Sequence, residues 1–147
     1  MSLDDLDAWA EFLGDRECTR YLLFPEPHSR EKAHSLLELN IAEHDGTIGM
    51  YALSDGEDLV GWAGYQRREL DGSREVELGW LVRKTHWGSG YASEAATHLR
   101  TLGPERVIHL IHPENAASIA VAAKLGARFE RQIEIAGGPV AIYASAA

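Results

Sequence analysis

The chain has 147 residues, with 14 Lys and Arg against 23 Asp and Glu, for a formal net charge of −9. That length suits one domain over residues 1–147, and the acidic balance excludes nucleic acid or an anionic membrane as the main partner. Cys18 stands alone, so no internal disulfide can form, and with the polar start Met1–Asp7 and no apolar run near the roughly 20 residues of a membrane span, a cytoplasmic setting is expected.

Leu6, Trp9, Phe12 and Leu13 fall at helical spacing between Asp4 and Leu13, and Gly14 ends the pattern. Pro25 and Pro27 mark a loop. Ser29 is the N-cap of a second helix to about Glu43, with Ala33, Leu36, Leu37 and Ile41 on one face. Asp45-Gly46 then signals a turn. Three extended runs follow: Thr47–Leu53, Leu59–Gln66 and Glu75–Val82. Short turns between them, Ser54-Asp55-Gly56 and Asp71-Gly72, predict an antiparallel meander. After Trp87-Gly88-Ser89-Gly90 the period changes, and a helix is expected from Tyr91 to about Leu102, stopped by Gly103-Pro104. Val107–Ile111 is nearly all apolar, the pattern of a buried central strand. His112-Pro113-Glu114-Asn115 leads into a helix over about Ala116–Leu125, capped by Gly126. Phe129–Ile135 and Val140–Ala144 read as a hairpin across Gly137-Gly138-Pro139.

The strongest chemical signal is strand, glycine loop, helix over Glu75–Leu102. A helix start offers unpaired amides and partial positive charge. Glycines before it let an anion approach the backbone. No GxxxxGK[ST] string exists, and Gly88-Ser89-Gly90-Tyr91-Ala92-Ser93 keeps only two glycines of a GxGxxG fingerprint. A plain glycine turn between strand and helix explains the loop equally well on its own.

Four strings remove that ambiguity: Glu77-Leu78-Gly79-Trp80-Leu81-Val82; Trp87-Gly88-Ser89-Gly90-Tyr91-Ala92-Ser93-Glu94-Ala95; His112-Pro113-Glu114-Asn115-Ala116-Ala117-Ser118; and Lys124-Leu125-Gly126-Ala127. As a set they resemble the GNAT N-acetyltransferases, above all the RimJ/RimL-like branch that acetylates ribosomal-protein N-termini. The likeness runs from about Leu3 to Tyr143.

The resemblance implies an α/β GNAT fold: a twisted, mostly antiparallel sheet with one splayed parallel strand pair and helices on both faces. Acetyl-CoA, as cosubstrate, would lie in the wedge between Glu75–Val82 and Val107–Ile111. Its pantetheine would pair with backbone at Leu81, Val82 and Arg83. The pyrophosphate would sit on amides from Gly88 through Ser89, Gly90, Tyr91 and Ala92, behind Trp87, with Ser93 near. Asn115 would bond the pantetheine arm, and Ser118 would sit near the thioester. The partner is an amine acceptor, a protein N-terminus or a small molecule. Three positions depart from the family pattern: Thr85 before the loop, Ala122 where many members place a Tyr acid, and Ala127 for Phe. The family's usual first strand is also missing, so about 10–15 further residues are expected upstream. An edge left unpaired by that loss leaves room for a homodimer.

Acetyl transfer needs an oriented amine, a base and a stabilised oxyanion. On an alternating strand Glu75, Glu77 and Gly79 share a face, and Glu77 holds the position the family often uses as base. A solvated or salt-bridged carboxylate is the plain alternative there. Ser118 either hydrogen-bonds the leaving sulfur or simply starts its helix with Asn115. Tyr143 is expected to pack rather than act as an acid. The histidines and Cys18 form no metal-ligand spacing, so no metal is expected. The rival readings are a non-catalytic acyl-CoA-binding module and a NAD-type domain.

Overall fold

The computed structural model describes residues 1–146. A 3-10 turn at Leu3–Asp5 leads into α1 (Leu6–Gly14). Ser2 caps that turn, and the Asp5 carboxylate returns to the Ser2 amide at 2.7 Å, closing a capping box. α1 buries Trp9, Phe12 and Leu13. A four-residue helix, α2 (Arg16–Thr19), follows at once, capped by Asp15 Oδ1 on the Glu17 amide. One turn is too short to produce an apolar period, so no sequence pattern marks it. α3 (Arg30–Glu43) starts where Ser29 was expected to cap it, with Ala33 and Leu37 buried.

The strands are β1 (Gly49–Asp55), β2 (Asp58–Leu70), β3 (Ser73–Val82), β4 (Val107–Ile111), β5 (Arg128–Ile135) and β6 (Gly138–Ser145). Between them lie α4 (Tyr91–Arg100) and α5 (Ala116–Lys124). The sheet order is β1-β2-β3-β4-β6-β5. Every pairing is antiparallel except β3 with β4. This is the mostly antiparallel α/β sheet with one parallel strand pair expected from the sequence.

Three boundaries differ from the sequence reading for a physical reason. β2 and β3 run on to a two-residue turn at Asp71-Gly72, whose φ values of 52° and 76° match the twist of a hairpin. The last hairpin likewise turns at Ala136-Gly137, with φ of 52° and 79°. The turn is not at Gly137-Gly138-Pro139, and Pro139 lies in β6 opposite Glu134. α4 stops at Arg100, two residues early, because the chain must pass the Tyr65 ring. A Cβ on Gly103 would lie 2.0 Å from the Tyr65 hydroxyl, which donates to Leu99 O at 2.6 Å.

Two cores flank the sheet. On one face α1 and α3 close over Met50 and Trp62, with the Trp9 and Phe12 rings edge-on to Trp62 at 4.8 and 5.3 Å. On the other, Ala63, Tyr65, Leu78 and Val107 pack with Leu99 of α4. Alternation along β3 therefore sends Glu75, Glu77, Gly79 and Leu81 to the α1/α3 side. Val76, Leu78 and Trp80 face the α4 side. β1 is one edge of the sheet and pairs only with β2 among the described residues.

Candidate active site

β3 and β4 are in register at one position, Glu77 opposite Ile108. A continuing parallel ladder would next give the Leu78 carbonyl an amide of β4. It instead accepts a hydrogen bond from His109 Nδ1 at 2.9 Å. His109 is 1% exposed, stacks near Trp80 at 5.3 Å, and offers Nε2 to Ser145 Oγ at 3.4 Å. The imidazole thus stands in for the missing rung, and the strands part beyond it.

Burial pushes the His109 pKa below its ordinary value of 6.5, with Arg100 adding to the effect and the Leu78 bond opposing it. The folded ring stays neutral where the unfolded one takes a proton. Its contribution is complete above pH about 6.5 and is lost as the pH falls below that value. The melting temperature of the wild type is expected to fall between pH about 7.5 and 5, and more steeply than that of His109→Gln. Parallel melting curves across that range would assign the pH dependence to other groups.

The backbone of the parted strand has a definite parity. The Arg83 amide donates to Val60 O of β2 at 2.8 Å. Alternate residues present their N–H and C=O to the same edge, so Leu81 and Arg83 face β2, while Trp80 and Val82 face the wedge. This corrects the expectation that all of Leu81, Val82 and Arg83 offer backbone to a ligand. The Val82 carbonyl is covered by Trp87 Nε1 at 2.7 Å, which leaves its amide. The side chains of Arg83 and Lys84 turn away to Glu11 (3.3 Å) and Glu17 (3.5 Å).

The glycine loop ends at the start of α4. Gly88 and Gly90 have φ of 76° and 87°, and a Cβ on either would meet nothing within 4 Å. Gly90 is the N-cap and no side chain caps it. The first helical bond runs from Glu94 N to Gly90 O at 2.9 Å. Among the described residues no acceptor takes the amides of Gly88, Ser89, Gly90, Tyr91, Ala92 or Ser93. Six uncapped donors around open space form an anion cradle. Lys124, at the end of α5, reaches Ser93 Oγ at 3.2 Å and brings a cation to the border of the cradle.

Glu77 sits where the strands part. Its carboxylate is nearly buried, and Oε2 accepts from Arg68 Nε at 2.5 Å, while Gln66 Oε1 holds the Arg68 Nη2 at 2.6 Å. Oε1 lies 3.6 Å from where a Cβ on Gly79 would stand, so the missing side chain leaves room beside that oxygen. Glu75 is tied into a network with Arg106 and Glu130. Across the wedge, Asn115 Oδ1 caps α5 through the Ser118 amide at 3.1 Å. Ser118 Oγ accepts from Trp80 Nε1 at 3.3 Å, which leaves its own hydroxyl proton free. Tyr143 packs edge-on to Phe129 at 5.8 Å, and Ala122 is fully buried. Burial raises the Cys18 thiol pKa, against thiolate chemistry there. No group of three or more His, Cys, Asp or Glu among the described residues is placed to hold a metal.

The parted parallel pair, the wedge-facing backbone of Trp80 and Val82 and the uncapped amides before α4 make up the candidate site. Residues 1–128 match the acetyltransferase (GNAT) domain model, and the chain belongs to that family. It is 32% identical over 91 residues to the uncharacterized protein YkkB of Bacillus subtilis. That match covers 58% of the chain and 53% of YkkB, so the chain spans about half the length of that relative. Among solved structures, the GNAT-family acetyltransferase of Bacillus anthracis superposes with a TM-score of 0.77 at 23% identity, covering 99% of this chain and 91% of the other. The Salmonella typhimurium enzyme that modifies the N-terminal serine of L7/L12 gives 0.81 at 19% identity, covering 99% and 91%. YncA of the same organism, solved with its cofactor acetyl-CoA, gives 0.77 at 18%, covering 99% and 90%.

Proposed function

We propose that this protein transfers the acetyl group of acetyl-CoA to a primary amine, of a protein N-terminus or a small molecule, by direct attack in a ternary complex. The observation that carries the reading is the pairing of the uncapped amides Gly88–Ser93 with the wedge that opens at Glu77. The amides and Lys124 bind the pyrophosphate, and Trp80 and Val82 offer backbone to the pantetheine arm. Acetyl-CoA supplies an already activated thioester. Glu77 Oε1 accepts the amine proton, directly or through a water. Arg68 fixes the orientation of that carboxylate. The wedge-facing amide of Trp80 stabilises negative charge developing on the acetyl oxygen. Ser118 Oγ, oriented by Trp80, donates toward the departing sulfur. Asn115 holds the helix start on which Ser118 stands.

Because Lys124 borders the cradle and Lys84 is paired with Glu17, Lys124→Ala is expected to weaken acetyl-CoA binding several-fold while Lys84→Ala leaves it nearly unchanged. Calorimetric titration of the two variants measures this, and equal losses would remove Lys124 from the cradle. The whole reading is tested by free-thiol release from acetyl-CoA against peptides, polyamines, aminoglycosides and amino acids. Amine-dependent release supports it. Tight binding with no release across the panel would instead describe a non-catalytic acyl-CoA-binding module.

A further inference from the structure

A cavity of about 200 Å³ lies between the segment after α2 and the β5–β6 turn, at the end of β4 toward which the wedge opens. Its apolar wall includes Leu22, Pro25 and Val140. Its polar wall is a stack of three side chains. The Arg20 guanidinium lies 5.1 Å from the Tyr21 ring centre, and that ring lies 5.2 Å from His112. His112 Nδ1 accepts the Glu114 amide at 3.2 Å, so Nε2–H is the donor left on the ring.

Charge sets this wall apart. The chain has 23 carboxylate side chains, yet none lines the cavity. Four other cations of the helical half are paired: Arg16 with Glu26, Arg30 with Asp7, Arg83 with Glu11 and Lys84 with Glu17. Arg20 lines the cavity, is exposed to solvent and has no ion-pair partner among the described residues. A lone guanidinium with a second donor beside it, over an apolar pocket, matches a carboxylate on a small apolar body.

Resting on the acetyl-transfer reading, we infer that the acceptor is a small amine bearing a carboxylate, a free α-amino acid with an apolar side chain, and that Arg20 selects it. The net charge of −9 suggests a cationic acceptor, but the local lining outweighs it, since screening confines charge effects to about 8–10 Å at ordinary salt. A peptide N-terminus offers an amide where the amino acid has its carboxylate, and leaves Arg20 without a partner.

Leucine and leucinamide differ at that group alone. The wild type is expected to favour leucine by tenfold or more in kcat/KM. Arg20→Gln should lower this preference by at least tenfold, and Arg20→Lys should restore part of it. A binding arm runs independently of turnover: with CoA present, calorimetry should give N-acetylleucine at least tenfold tighter binding to the wild type than to Arg20→Gln. N-acetylleucinamide should bind both alike. Leucinamide used as well as leucine by the wild type would overturn the inference and favour a peptide acceptor, and a preference for leucine that survives Arg20→Gln would overturn it by assigning the carboxylate to another group. Failure of acetyl transfer to every amine, with N-acetylleucine still bound through Arg20, would instead sink the catalytic reading and leave the carboxylate site standing.

Discussion

Replacing Glu77 by Gln is expected to lower kcat by about 10²–10⁴-fold near neutral pH while acetyl-CoA binds as before. Glutamine keeps the shape of the side chain and can still accept from Arg68 Nε, and Gln66 continues to hold that guanidinium at 2.6 Å. What it loses is the basic oxygen at Oε1, beside the open space over Gly79. Among the described residues the Glu77 carboxylate hydrogen-bonds Arg68 and no residue of the cradle, so binding and chemistry are expected to separate. Circular dichroism checks that the variant is folded, and the pH dependence of kcat/KM checks the role. A variant with the wild-type rate and an unchanged pH profile would mean that solvent takes the amine proton.

Replacing Gly90 by Val is expected to abolish acetyl-CoA binding. At φ of 87° a β-branched side chain is strained, at a cost of order 1–3 kcal/mol. That is below the roughly 5–15 kcal/mol that separates most domains from unfolding, so the chain should stay folded with a lower melting temperature. The added side chain meets no protein atom within 4 Å of its Cβ, and so projects into the space the pyrophosphate needs. The six amides around it are then screened from the ligand. Gly56→Val provides the control for strain alone. It has φ of 62° and open space around it, in the β1–β2 turn. It should melt lower as well, yet bind normally. Normal affinity in a folded Gly90→Val protein would place the cofactor elsewhere.

How far the site could be read from sequence depended on the range of each interaction. The loop Trp87–Gly90 and the helix at Tyr91 were legible because a turn glycine followed by a helix start is written in consecutive residues. The meander was legible for the same reason, through Asp71-Gly72. The edge that each backbone group faces was not, since it follows from one bond, Arg83 N to Val60 O, between residues 23 apart. Trp80 was therefore passed over in favour of its neighbour Leu81. Arg68 was missed because its meeting with Glu77 depends on β2–β3 register, in which Gln66 stands opposite Glu77. His109 looked like any alternating strand residue, and only the parting of β3 from β4 gives its Nδ1 a task. Lys124 was visible in the Lys124-Leu125-Gly126-Ala127 string, but the packing of α5 against α4 puts it beside Ser93.

The placement of acetyl-CoA is tested most directly by following backbone amide resonances of the isotopically labelled protein during titration with CoA. The largest shifts are expected at Trp80 and Val82 and along Gly88–Ser93, with Leu81 and Arg83 changing less. Adding EDTA should alter none of them. Saturable CoA binding that leaves those amides unmoved, with shifts gathered at the β1 edge or the β5–β6 turn instead, would contradict the wedge and the cradle together.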